Sequence, residues 1–287
     1  DGFDEDPNQP TDATADLVLN SAQVASILFH NGNHARVASM WTEQLDGSDR
    51  QYSGTDAPGY NLTATDVNNM WIVGYAEANG DLNIVKEKAR NANNRLVLGI
   101  AQTIQSMNFG TKTALHGDIP FFDAIQGNDE LNPAFDPQLE IYASVIDSLD
   151  TAIENLEAGG ISPQDRDEFF EGNAESWIAT AYTLKARYSL HVAHVNEDPV
   201  ADIDFSSVYQ ATLNGISDPA GNMVAPHGNA LSVDANPFYQ FRVERGDDLT
   251  AGNSYAASLL DEATDFYRGD TKTDESERFA HYFIGES

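Results

Sequence analysis

The chain has no cysteine among its 287 residues, which excludes disulfide staples, thiolate catalysis and any Cys-bearing zinc site. Positive charge is nearly as scarce. Lysine stands only at positions 86, 88, 112, 185 and 272, and 15 Lys and Arg face 46 Asp and Glu, for a formal charge of −31. A field of that sign repels phosphate backbones and anionic headgroups, so nucleic acid and membrane surfaces are excluded as direct partners. No apolar run reaches membrane-spanning length, and no basic-then-apolar leader opens the chain. The G-x-S-x-G elbow, the phosphate loop, the G-x-G-x-x-G turn and the H-E-x-x-H helix are also missing. With 46 acids, some carboxylate pair lies near any point, so a glycosidase-like pair carries no weight here. The chain is read as a binding protein, with no catalytic residues and no cofactor.

What is present is an acidic, Lys-poor surface whose charges are scattered rather than blocked. Such a surface stays soluble in high salt, where its self-repulsion is screened, and reads as halophilic. The 41% of hydrophobic residues supply a core for one large domain or two small ones. Residues 1–12 read as an extended leader. Helices are expected over 13–29, with Leu17, Val24, Ile27 and Leu28 inward, over 34–45 after a break at Asn31-Gly32-Asn33, and over 65–90 and 93–109. Asp46 to Asn61 reads as a long loop, and residues 195–253 as loops and short helices.

The best-specified stretch is Gly117-Asp118-Ile119-Pro120-Phe121-Phe122-Asp123-Ala124-Ile125 with the helix that follows it. Pro120 forces Ile119 into an extended geometry, so the passage turns sharply. Asp136 is expected as the N-cap of the next helix and Pro137 as its first residue. Ile141, Val145, Leu149, Ile153 and Leu156 then lay one apolar stripe, and Gly159-Gly160 ends it. A further helix is expected from Asn173, its N-cap, to His194 through Trp177, Ala181, Leu184, Tyr188 and His191. Trp71, Tyr75, Trp177 and Tyr188 fall on helical stripes and read as core.

The ordered string GDIPFFDAIQG…NPAFDPQLEIYASVIDSLDTAIENL resembles the SusD/RagB family of outer-membrane nutrient-binding lipoproteins. The resemblance continues through Asp167 to Asn173, through Trp177 to Arg187, and through Asn236-Pro237-Phe238-Tyr239, and is strongest between Asn79 and Leu190. It extends to Leu259-Leu260-Asp261 and Tyr282-Phe283 without the family's Asp-Pro-Arg core. It implies a mainly α fold of degenerate tetratricopeptide-like helix pairs with long irregular loops. It also implies a single domain over 1–287, lacking the family's C-terminal part, behind a lipid-bearing cysteine absent from this chain. The implied function is capture of an oligosaccharide at the cell surface of the outer membrane and delivery to a SusC-like TonB-dependent transporter. A peptide-binding member of the same family and a helical-repeat scaffold stand as alternatives.

Sugar sites stack flat rings on pyranose C–H faces and frame them with planar polar groups. Trp41, Tyr52 and Tyr60 flank or lie within the 46–61 segment beside Asp49, Arg50 and Asn61, and these six are the candidate ligand residues; Gln51 lies among them. The pairs His30/His34 and His191/His194 read as structural histidines rather than metal ligands. Asp4-Glu5-Asp6 and Asp46 to Asp49 lack calcium-loop spacing. Asp118 and Pro120 read as elbow structure rather than site.

Overall fold

A computed structural model describes residues 13–56, 59–127, 129–193 and 205–267. The leader, His194, the calcium reading at Asp4 to Asp6 and the Tyr282-Phe283 match therefore lie outside the described residues. The architecture is mainly α, as expected. Its helices are α1 (Ala15–Asn31), α2 (Asn33–Trp41), α3 (Arg50–Thr55), α4 (Ala64–Ile72), α5 (Gly80–Asn91), α6 (Arg95–His116), α7 (Gln138–Ala158), α8 (Ala174–Val192), α9 (Phe205–Asn214), α10 (Pro237–Glu244) and α11 (Tyr255–Leu260). Strands β1 (Asp46–Gly47) and β2 (Leu249–Thr250) form one short antiparallel pair. The chain divides into two compact units, one running to Ile27 and resuming over Ile72–Pro226, the other holding Leu28–Trp71 and the residues from His227 onward.

The first unit is a stack of helix pairs. Helices α5 to α9 each pack along the next in sequence, and α6 also meets α8. The α7 stripe behaves as its spacing demands: Ile141, Val145, Leu149, Ile153 and Leu156 are all buried. Each such side chain contributes roughly 1.5–3 kcal/mol on burial. Leu156 joins Leu82, Val85, Ile100, Ile104 and Trp177 in one core. Two glycines let α6 approach its neighbours. A Cβ on Gly99 would lie 2.7 Å from Leu156 Cγ, and one on Gly110 would overlap the Tyr188 ring.

Three expectations are corrected here. The 65–90 helix is not continuous: a π-helical segment, Val73–Asn79, separates α4 from α5. Of the expected face, Met70, Ala78, Leu82 and Val85 are buried as expected, but that wider turn shifts the phase, so Val67, Trp71 and Tyr75 are only half-buried and Val73, Gly74 and Asn79 are buried as well. Helix α1 buries Leu19, Ala22, Gln23, Ser26 and Ile27, whereas Leu17, Val24 and Leu28 are exposed. Polar partners decide that rotation. Within this unit Gln23 Nε2 donates to Asp167 Oδ1 at 2.8 Å, and Asn108 Nδ2 donates to Ser26 Oγ at 3.0 Å. Helix α6 runs to His116, beyond the expected end at 109, and Gly117 stops it with φ +74°.

The elbow is built differently from its sequence reading. Pro137 is the residue before α7, Gln138 is the first helical one, and Pro137 itself provides no side-chain cap. The acceptor comes from upstream, where Asp118 Oδ1 receives the Gln138 N–H at 2.9 Å. Asp136 instead caps the elbow, its Oδ2 accepting from Phe121 N at 2.8 Å and Phe122 N at 2.9 Å. Asn173 caps α8 as expected, accepting from Ser176 N at 2.9 Å. The Asp167 to Trp177 segment closes on one buried carboxylate. Asp167 Oδ2 accepts from Gly172 N at 2.8 Å and Trp177 Nε1 at 2.7 Å.

In the second unit, β1 and β2 pair Asp46 with Thr250 and Gly47 with Leu249. Met40, Tyr52 and Leu249 make its small core, with Leu45 and Phe241 packed against it. The segment expected as loop thus carries a strand and the helix α3 before its tight turn at Tyr60, whose φ is +46°. Helix α10 starts as Asn236-Pro237 dictates: the Asn236 side chain accepts from Phe238 N and Tyr239 N at 2.8 and 3.3 Å.

Candidate functional site

The second unit contains a cleft of about 510 Å³ between α2, α3, the start of α4 and α10. Asn33, Arg36 and Val37 enter from α2, Gln51, Tyr52 and Thr55 from α3. Leu62, Thr65, Asp66 and Asn69 line it at α4, and Phe241 and Arg245 at α10. These side chains fall on one face of each helix because of simple spacing: 33, 36 and 37 on α2, 51, 52 and 55 on α3, 241 and 245 at the end of α10.

A hydrogen-bonded chain runs along the cleft. Arg36 Nε donates to Tyr52 Oη at 2.9 Å, Tyr52 Oη donates to Asn33 Oδ1 at 3.0 Å, and Asn33 Nδ2 donates to the Asp66 carbonyl at 3.0 Å. The Arg36 guanidinium also lies 4.4 Å from the Phe241 ring centroid, and Tyr52 meets that ring edge-on at 5.5 Å. The Asp66 carboxyl is held below its ordinary pKa by the Thr63 hydroxyl and by the Thr63 backbone N–H. It is therefore charged at neutral pH. Behind the cleft, the fully buried Asp248 pairs with Arg50 and lies 3.8 Å from Arg245.

Of the six residues singled out from sequence, only Tyr52 lines this cleft. Asp49 caps α3 by accepting Arg50 N at 2.7 Å. Arg50 secures Asp248 and so helps hold β2 beside β1. Asn61 is exposed, and its N–H donates to the Gly54 carbonyl at 2.9 Å. Trp41 and Tyr60 do come together. Their rings meet edge-on at 6.2 Å, and they remain 42% and 50% exposed. They adjoin the cleft through the backbone: Trp41 Nε1 donates to the Thr55 carbonyl at 2.9 Å, and Leu62 N donates to the Tyr60 carbonyl at 3.0 Å.

Sequence reasoning passed over Asn33, Arg36, Asp66, Phe241 and Arg245. One usable signal was the scarcity of bases, which makes each arginine in such an acidic chain worth tracing. His34 is a packing residue, with Nδ1 3.1 Å from the Phe29 carbonyl and its ring edge-on to Phe29. Among the described residues no cluster of three or more His, Cys, Asp or Glu is gathered as metal ligands. No described helix is long and apolar enough to cross a membrane.

The family model for SusD-like proteins, described as starch-binding and associating with the outer membrane, matches residues 7–267. The chain belongs to the SusD-like family. The fold agrees. A SusD/RagB family protein from Bacteroides thetaiotaomicron superposes with a TM-score of 0.75 at 23% identity, over 87% of this chain and 51% of its own. A SusD homologue from Bacteroides uniformis matches with a TM-score of 0.61 at 19% identity, over 87% of this chain and 52% of its own. A chitin-binding SusD homologue from Flavobacterium johnsoniae matches with a TM-score of 0.60 at 19% identity, over 81% and 48%. This SusD-like chain thus spans about half the length of the solved structures it resembles. No curated protein matches it in sequence.

Proposed function

We propose that this SusD-like chain is the ligand-capturing part of a cell-surface lipoprotein. It binds an oligosaccharide reversibly and hands it to a SusC-like TonB-dependent transporter in the outer membrane. Family membership supports the class of function. The observation that carries the binding assignment is the composition of the cleft. The Tyr52 hydroxyl and the partly buried Phe241 ring stand beside the planar polar groups of Asn33, Gln51, Asn69 and Arg36, with the exposed Trp41 and Tyr60 rings adjoining. That mixture suits a ring with apolar C–H faces and an equatorial belt of hydroxyls. Trp41 and Tyr60 extend it as an exposed aromatic rim on which a second sugar unit stacks.

The reaction needs no covalent chemistry. Capture by hydrogen bonds and stacking is reversible, which delivery to a transporter requires. Isothermal titration of the purified chain against a panel of oligosaccharides and short peptides tests the reading. Saturable binding of a glycan, weakened on Trp41→Ala in a chain that stays folded, supports it. Saturable binding of peptides alone would move the ligand class to the peptide alternative, and silence across the whole panel at millimolar ligand would remove the capture role from this chain.

A further inference from the structure

We infer that the cleft selects an anionic glycan, seating the carboxylate or sulfate of a sugar unit against the Arg36 guanidinium. This rests on the glycan-binding reading above and names its substrate class. In a chain with three acids for every base, an arginine normally finds a carboxylate, yet among the described residues Arg36 has no ion-pair partner. Its support is neutral throughout: the Tyr52 hydroxyl on Nε and the Phe241 ring over the guanidinium. Both contacts fix the plane of the fork, and neither cancels its charge. Among the described residues its terminal nitrogens have no hydrogen-bond partner, and Arg36 lines the cleft. A pre-oriented guanidinium of this kind is matched by a two-oxygen acid, which it binds through two parallel N–H donors.

Arg245 adds a second positive charge to the same wall. Its neighbour Asp248 is already bonded to Arg50 and approaches Arg245 no nearer than 3.8 Å, so part of that charge stays available to a ligand. The lining therefore carries two guanidinium groups against one carboxylate, that of Asp66. Asp66 has one oxygen taken by Thr63, which donates through both its backbone N–H and its hydroxyl. The other oxygen is an acceptor suited to ring hydroxyls. A site with an anion fork on one side and a hydroxyl acceptor on the other fits an acidic sugar better than a neutral sugar or a bare anion. The surrounding acidic surface repels an anion elsewhere, so an acidic sugar gains only where these two arginines hold it.

The test is titration calorimetry with matched pairs: oligogalacturonate and its methyl ester, oligoalginate and its carboxyl-reduced form, a sulfated galactan fragment and its desulfated counterpart. At least one acid should bind about tenfold or more tightly than its neutral partner. In Arg36→Met, which keeps the stem over Phe241 and removes the charge, acid and neutral partner should bind alike. Arg245→Gln, at a half-exposed position away from Tyr52, should shrink the same advantage and covers the case in which the Arg36 variant does not fold. If neutral partners bind as well as the acids in the native chain, the anionic inference falls and the glycan reading stands. If no member of any pair binds, both fall.

Discussion

Ile119 and Asp136 exchange two backbone hydrogen bonds, Asp136 N–H to the Ile119 carbonyl at 2.9 Å and Ile119 N–H to the Asp136 carbonyl at 3.3 Å. Each stands immediately before a proline, and the clash with the proline ring that excludes the helical region leaves both extended and able to pair. The bridge staples the two ends of the 120–135 loop. It also explains why Asp118 and Asp136 exchange the roles their positions suggest. Once Asp136 is extended, its side chain lies over the elbow N–H groups of Phe121 and Phe122, and Asp118 faces the open end of α7. Tyr75 Oη fastens the same elbow by donating to the Pro120 carbonyl at 2.7 Å.

The two carboxylates should therefore separate in a denaturation experiment. Asp118→Ala removes one helix cap and should cost about 1 kcal/mol. Asp136→Ala strips two elbow N–H groups of a charged acceptor and should cost more, about 2 kcal/mol. Urea unfolding of both variants checks the order. A larger loss in Asp118→Ala would contradict the assignment of the caps.

Asp167 supports a second prediction. This buried side chain takes N–H groups from Gln23, Phe169, Gly172 and Trp177. Asp167→Ala orphans all four, and the loss should exceed about 3 kcal/mol. Asp167→Asn keeps only one oxygen and turns an amide NH2 toward donors, so it should rescue little. Near-native stability in the Asn variant would show that the charge and second oxygen do not matter. Thermal midpoints of the two variants side by side decide this.

Lys112 gives the molecule a pH dependence. It is fully buried, with Nζ 4.5 Å from the Tyr75 ring centroid, and burial lowers its pKa to about 7. In the unfolded chain it returns to the ordinary value near 10.5. Between those limits the unfolded state binds more protons, so the lysine makes stability rise as pH rises from about 7 towards 10.5. Lys112→Met should abolish this slope, and the stability gap between variant and native protein should change most across that window. His116 adds the same sign lower down, since burial and then the Lys112 charge push its pKa to about 4. A native-minus-variant difference that is flat from pH 7 to 10 would contradict the buried-lysine account.

The pattern of success along the chain has a physical cause. Helix α7 was legible because its apolar residues repeat at helical spacing and nothing competes for them. Asn173 was legible because a capping side chain acts on the next two or three residues. Helix α1 misled because its buried face is partly polar, chosen by partners such as Asp167 and Asn108 far away in sequence. The π segment and the Asp118–Gln138 bond are likewise invisible locally, since each depends on what packs against it. The same holds for the cleft. Tyr52 lay within an obvious aromatic segment, but Arg36 gains its significance from Phe241, which lies about two hundred residues further along the chain.

The acidic surface predicts a salt response. Self-repulsion among 46 acids weakens as the screening length contracts from about 10 Å at 0.1 M salt to about 3 Å at 1 M. The thermal midpoint should accordingly climb steadily in NaCl and KCl alike. A midpoint unchanged between low and molar salt would argue against the halophilic reading.

The proposed rim and cleft should make separable contributions to binding. Tyr60 is half exposed and sits on the rim with Trp41, so Tyr60→Ala should leave stability within about 0.5 kcal/mol. It should weaken glycan binding by about 0.5–1.5 kcal/mol, the value of one aromatic stack. Tyr52→Phe keeps the ring and removes the hydroxyl that links Arg36 to Asn33. That change should cost stability by about 1 kcal/mol and loosen the Arg36 fork, so binding of an acidic glycan should suffer more than binding of its neutral partner. Calorimetry on the two variants separates three cases. Loss in both places the ligand across rim and cleft, and loss in Tyr52→Phe alone confines it to the cleft. Loss in Tyr60→Ala alone would move the site to the exposed pair and remove Arg36 from ligand recognition.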